Sequence, residues 1–198
     1  MIKKYISLAS LLFISFLLNA CTQPEIPEDR FYRLKVGEMK PSVKKVDAII
    51  AVDRFRADGL LSARPLIFIN EKNQLSQYHY HFWVESPIDL LQDELVRSLR
   101  ESQIATHIVT PELRVEEDYF ISGKIKRLER VLTDAQEKAV VELELGVKHQ
   151  SDSKIIVLKT YRYEQVQLNP GIDGLVEAMN LAISHIYNEF ISDLSTAL

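Results

Sequence analysis

A chain of 198 residues with 24 basic and 28 acidic side chains carries a formal charge of −4. That balance argues against a nucleic-acid partner and against a broad electrostatic grip on anionic lipid. A single cysteine excludes an intrachain disulfide and any paired-cysteine metal site, and the length suits one domain with a sizeable core.

Met1-Ile2-Lys3-Lys4 is a short basic start, and Tyr5 to Leu18 is apolar apart from Ser7, Ser10 and Ser15. Ala20 then precedes Cys21, which is the layout of a secretory signal peptide over residues 1–20. The apolar run is shorter than the about 20 residues that a membrane span needs. Leu18-Asn19-Ala20-Cys21 resembles the lipobox of bacterial lipoproteins, in which the cysteine is acylated and becomes the new N-terminus. Asn19 departs from it, standing where a small or β-branched residue is usual. The resemblance implies lipidation at Cys21 by a diacylglycerol and an amide-linked chain, and two or more chains anchor stably where one does not. Thr22, where an Asp would retain the protein at the inner membrane, implies the outer membrane. Cleavage after Ala20 removes Lys3 and Lys4, leaving 22 basic side chains against 28 acidic ones, a formal charge of about −6.

Residues 21–30 read as this lipidated N-terminus followed by an extended tether, with Pro24, Pro27 and little to bury. At about 3.1 Å per residue, Thr22 to Arg30 reach roughly 28 Å, so the domain stays close to its membrane. Residues 31–198 form the domain. Phe31 to Val36 predicts a first strand, and Val46 to Val52, apolar apart from Asp47, predicts a central strand buried on both faces. Leu66 to Ile69 and Gln77 to Val84 predict two more strands, separated by the turn-rich Asn70-Glu71-Lys72-Asn73. Ser86-Pro87 is an N-cap followed by a proline suited to the first helical position, and Asp89 adds acidity in the first turn. Ile88, Leu91, Leu95 and Leu99 line one helical face as far as about Gln103.

A strand near His107 to Val109 is ended by Pro111, and longer strands follow over Tyr119 to Val131, Lys138 to Lys148 and Ile155 to Val166. In the middle one Val141, Leu143, Leu145 and Val147 alternate with Glu142, Glu144 and Lys148, and short polar links predict an antiparallel meander. Asn169-Pro170-Gly171 stops the last strand before a helix from about Asp173 to Leu194. Its seam of Ile172, Val176, Met179, Ile183, Ile186 and Phe190 either completes the core or docks a partner helix, and core packing is the expectation. The fold class is therefore α/β (α+β): a single domain with a mixed or antiparallel sheet, a mid-chain helix and a long C-terminal amphipathic helix packed on it.

The motifs of chemistry are missing from this sequence. Gly123-Lys124 lacks the upstream glycine and the following Ser or Thr of a phosphate loop, and neither a nucleophile elbow nor a zinc-protease helix occurs. In a regular strand His79, His81 and Trp83 share one face, and Tyr78, Tyr80 and Phe82 the other. Two imidazoles supply two ligands to Zn²⁺ or Cu²⁺, whereas a catalytic zinc needs three protein ligands. Spacing brings neither His107, His149 nor His185 to them, so the expectation is an aromatic-rich structural strand with no metal, no cofactor and no catalytic residue.

The same stretch carries a resemblance. Trp83-x-Glu85-x-Pro87, a strand end running into a capped helix, resembles the ABC-type transport auxiliary lipoprotein family, the lipoprotein component of MCE-type and paraquat-inducible-like lipid transport systems. Phe31-Tyr32-Arg33-Leu34, Ile49-Ile50-Ala51-Val52, Asp58 to Arg64, the meander and the terminal helix match in order after Cys21. The family often has Arg before the Trp, where this chain has Phe82. The resemblance implies a non-enzymatic docking component at the outer membrane, with an MCE-domain protein and its inner-membrane permease and ATPase as partners. The residues themselves leave open an envelope-assembly or lipopolysaccharide-export lipoprotein, a metal-binding or hydrolytic lipoprotein using His79 and His81, and a domain that carries lipid itself.

Overall fold

A computed structural model describes residues 27–133 and 136–198. In chain order the elements are β1 (Arg30–Tyr32), β2 (Val46–Val52), β3 (Arg56–Ala57), a 3-10 turn (Gly59–Ser62), β4 (Pro65–Ile69), β5 (Leu75–Trp83) and α1 (Pro87–Ser102). Then follow β6 (Ala105–Val109), a second 3-10 turn (Pro111–Leu113), β7 (Tyr119–Leu132), β8 (Glu137–His149), β9 (Ile155–Val166) and α2 (Gly171–Ala197).

The described strands make one mixed sheet built around β7. One edge of β7 pairs antiparallel with β8 from Tyr119↔His149 to Leu132↔Glu137, and β9 adds antiparallel to β8. The other edge is shared. β2 takes its start in parallel (Ile50↔Tyr119), β3 its middle (Arg56↔Lys124) and β4 its end (Phe68↔Arg130). β6 pairs parallel with β2, while β5 pairs antiparallel with β4 and parallel with β1. Thus the sheet forks on one side of β7 and is a plain meander on the other. The meander is the expected one, with Val141, Leu143, Leu145 and Val147 all buried.

Both helices close the core. Ser86 caps α1 as expected, its Oγ accepting from the Asp89 N–H at 3.4 Å, and Gln103 ends the helix in the left-handed conformation at φ 54°. Leu91, Leu95 and Leu99 are fully buried. The α2 seam lies in the core, with the ring of Phe190 edge-on to Tyr161 of β9 at 5.8 Å. The buried band on α2 is wider than that seam, since Leu175, Ala178, Ala182, Tyr187, Ile191 and Leu194 are buried too. The reason is that α2 meets the sheet on one side and α1 on another: buried Tyr187 donates its hydroxyl to the Leu91 carbonyl at 2.7 Å.

Two expectations for strands need correction. The first strand ends at Tyr32 rather than Val36, although Leu34 and Val36 are buried. The alternation over residues 78–83 is interrupted, because between Pro65↔Phe82 and Ile67↔Gln77 β5 spends three more residues than β4 requires. That bulge brings the Tyr78 and His81 rings within 5.8 Å of each other, three positions apart in sequence.

Gly123 also acquires a role. A Cβ there would stand 2.5 Å from the ring of buried Phe55, so this glycine admits the ring against β7. Replacing it, Gly123→Ala, is expected to destabilise the fold by about 1–3 kcal/mol through overpacking. Denaturant unfolding measures the loss, and Phe55→Leu in the same chain should recover part of it.

Candidate functional site

The chain between β1 and β2 is a strap laid in the groove between the two helices. Its side chains at Leu34, Val36 and Met39 enter the core. Successive N–H groups of an extended chain point to opposite sides. Accordingly Lys35 N–H donates to Asn180 Oδ1 and Gly37 N–H to Ser184 Oγ on α2, each at 2.9 Å. On the other side Val36 N–H donates to Glu94 Oε2 of α1 at 3.2 Å, and Arg97 Nη2 donates to the Val36 carbonyl at 2.6 Å. Arg97 is itself held by Glu94 at 2.7 Å and by Glu101, which also accepts from the Met39 N–H at 3.4 Å. Ser42 N–H then donates to the Ser102 carbonyl at 2.7 Å, and its Oγ lies 3.0 Å from Ser195 Oγ. From Lys35 to Met39 the strap is extended chain whose N–H groups donate to helix side chains, and it lies outside the sheet.

The strap runs parallel to α2. Lys35 meets Asn180 and Ser42 meets Ser195. Seven strap residues at about 3.3 Å and fifteen helical residues at about 1.5 Å both span about 23 Å. The two ladders agree, so the strap is fully extended over this length. Beyond it, residues 40–44 and the last turns of α2 enclose an open cleft of about 990 Å³ lined by Lys40, Val43, Lys44, Asn188, Ile191 and Ser192.

At the other end of the strap lies the stretch around the two histidines. His81 Nδ1 is 2.9 Å from Tyr32 Oη of β1, while His79 is exposed. His107 lies on β6, His149 contacts Asp152 at 2.9 Å, and His185 stacks on Tyr163 at 3.9 Å. Among the described residues no group of three His, Cys, Asp or Glu is placed to hold a metal ion. Trp83 is buried and exchanges hydrogen bonds with Arg64, its N–H donating to the Arg64 carbonyl at 2.7 Å and its carbonyl accepting from Arg64 Nε at 3.1 Å. Glu85 is exposed and Pro87 is the buried first residue of α1. Cys21 lies outside the described residues.

Two groups near these elements are shifted from their usual ranges, each by its packing. Burial and then Asp193 raise the Tyr161 hydroxyl well above its usual range; that hydroxyl donates to Asp193 at 2.8 Å, where Lys159 also binds at 2.8 Å. Burial, and after it the Arg30 guanidinium, hold the His81 imidazole below its usual range, while Asp173 opposes them.

A family model described as the ABC-type transport auxiliary lipoprotein component matches residues 32–190. The chain belongs to that family. Its fold is similar to protein XCC0632 from Xanthomonas campestris, with a TM-score of 0.77 at 18% identity over 85% of this chain and 95% of the other. A crystal structure of an uncharacterized protein gives 0.65 at 13% identity, covering 86% and 98%. The hypothetical protein CT253 from Chlamydia trachomatis gives 0.50 at 10% identity, covering 77% and 98%. No curated protein matches the chain. At these identities the structural likeness speaks for the fold alone. The family model begins at Tyr32, so the whole strap lies within the auxiliary lipoprotein domain, as does α2 as far as Phe190. Membership of an auxiliary transport family associates the chain with a transporter at the cell envelope. Among the described residues no helix is long and apolar enough to cross a membrane.

Sequence reading missed the strap as a separate device. The signal available was the row Glu94, Arg97 and Glu101 on the polar face of α1, too ordered for mere solvation. Arg97→Ala in this auxiliary lipoprotein should leave both helices intact and free the strap. Hydrogen exchange at the Val36 and Met39 amides should speed up by an amount equivalent to about 1–2 kcal/mol of local stability.

Below a pH of about 6.5, His81 should weaken the packing of β1 on β5. Its folded-state pKa is depressed, so its contribution is present above the unfolded value of about 6.5 and is lost as pH falls. Thermal melting across that range should show the decline, and His81→Gln should flatten it.

Proposed function

We propose that this auxiliary lipoprotein is the outer-membrane docking component of an MCE-type lipid transport system, anchored by acylated Cys21 and acting through protein contact alone. The family match over residues 32–190 carries this reading. The structure supports it through the position of β1. The chain is pinned from Arg30 onward, about nine residues after Cys21, so an extended tether reaches roughly 28 Å. A domain confined that close to one bilayer has a raised effective concentration toward a protein reaching across the periplasm, and modest contacts then suffice for assembly. The reading gives the domain no catalytic step. His79 and His81 belong to the strand that seats the anchored end.

Envelope fractionation with Cys21→Ser decides the matter. Wild-type chain is expected in the outer-membrane fraction, acylated, co-purifying with the MCE-domain protein. The variant should be periplasmic and lose most of that co-purification. Wild-type chain that is unacylated, or that captures an outer-membrane barrel in place of the MCE-domain protein, would overturn the proposal.

A further inference from the structure

The strap separates two poles of α2 with different chemistry. At one pole Tyr32 stands by Asp173 in the first turn of α2, where the tether joins the domain. At the other, Ser42 stands by Ser195 near its end. Twenty-two helical residues at about 1.5 Å set these poles about 33 Å apart.

The far pole carries uncommitted positive charge. Lys124, Lys138 and Lys159 are all paired with carboxylates. Lys40, Lys44 and Lys45 are exposed, and among the described residues none of their ammonium groups has an ion pair or a hydrogen bond. Glu189, the carboxylate lining the cleft, is already taken by Lys159 at 2.8 Å. Between the lysines Val43 stands wholly exposed, at 103% of its reference area. A fully exposed apolar side chain thus stands beside unpaired lysines at a 990 Å³ cleft.

We propose that this cleft receives an acidic segment of the transport system's partner protein, with Lys40 and Lys44 meeting its carboxylates and Val43 an adjacent apolar side chain. The inference rests on the function proposed above and names the partner-facing surface of that reading. A protein segment fits better than a bilayer. The mature chain carries about six net negative charges, so its overall field repels an extended anionic surface, whereas a narrow segment entering the cleft meets the lysines first. The cleft also lies at the pole away from the anchored end.

Photo-crosslinking from position 43, in the full acylated chain in intact envelopes, tests this directly. A second probe at Leu168, 80% exposed just beyond β9, serves as control. An adduct with the MCE-domain protein is expected from position 43, and Lys40→Glu with Lys44→Glu should reduce it about tenfold or more, with unchanged circular dichroism. Lys40→Arg with Lys44→Arg should retain it. A lipid adduct at position 43 would mean that the loop faces the bilayer and would overturn the inference. So would an MCE adduct confined to Leu168, although the function proposed above would survive. Failure of the MCE-domain protein to crosslink or co-purify at all would remove that function and the inference with it.

Discussion

The architecture depends on how the fourteen residues of β7 divide their two edges. One edge is given entirely to β8, which makes a long, stiff, two-sided ribbon once β9 joins. The other is shared in three short stretches by β2, β3 and β4, and none of these pairings exceeds three residues. Short parallel pairings contribute little by themselves, because parallel ladders usually need both faces covered. The two helices provide much of that cover. Hence the core runs through α1, α2 and the sheet as one body, and β7 holds the parts of the chain before and after α1 in a common frame.

Within that frame the strap solves a local problem of hydrogen bonding. An extended segment buried between helices has no sheet to satisfy its N–H and C=O groups, and leaving them unpaired would cost on the order of 1–3 kcal/mol each. Asn180 and Ser184 serve one side, while Glu94, Arg97 and Glu101 serve the other. Because each contact is made by a particular side chain, the strap is held in one register along α2. Its position then determines where residues 40–45 emerge. A structural clamp on Val36 in this way sets where the lysines emerge, from Lys40 four residues on, about 13 Å along the extended chain.

The titratable groups around the strap are of two physical kinds. Two of the shifted groups, buried Tyr161 and half-buried His81, each pair with a side chain of the same fold, Asp193 and Tyr32. At the far pole the ammonium groups of Lys40, Lys44 and Lys45 have no ion pair or hydrogen bond among the described residues. Recognition draws on groups that the monomer has not already paired, which is why the proposed contact is placed on these lysines.

The sequence alone determined the periodic elements. Apolar spacing near 3.6 marked α1 and α2, Ser86-Pro87 marked where α1 starts, and strict alternation marked the meander, because each depends on neighbours close in the chain. The Trp83-x-Glu85-x-Pro87 stretch and the order of elements also made the family legible. Tertiary structure alone decided what covers each apolar face. Leu34 and Val36 show the same alternation whether an extended chain joins a sheet or lies between helices, so the strap read as an ordinary strand. The bulge that joins Tyr78 to His81, the glycine at position 123 facing Phe55, and the three-way sharing of β7 all arise from contacts between residues distant in sequence. Periodicity reports that a face is buried; only the packed fold says against what.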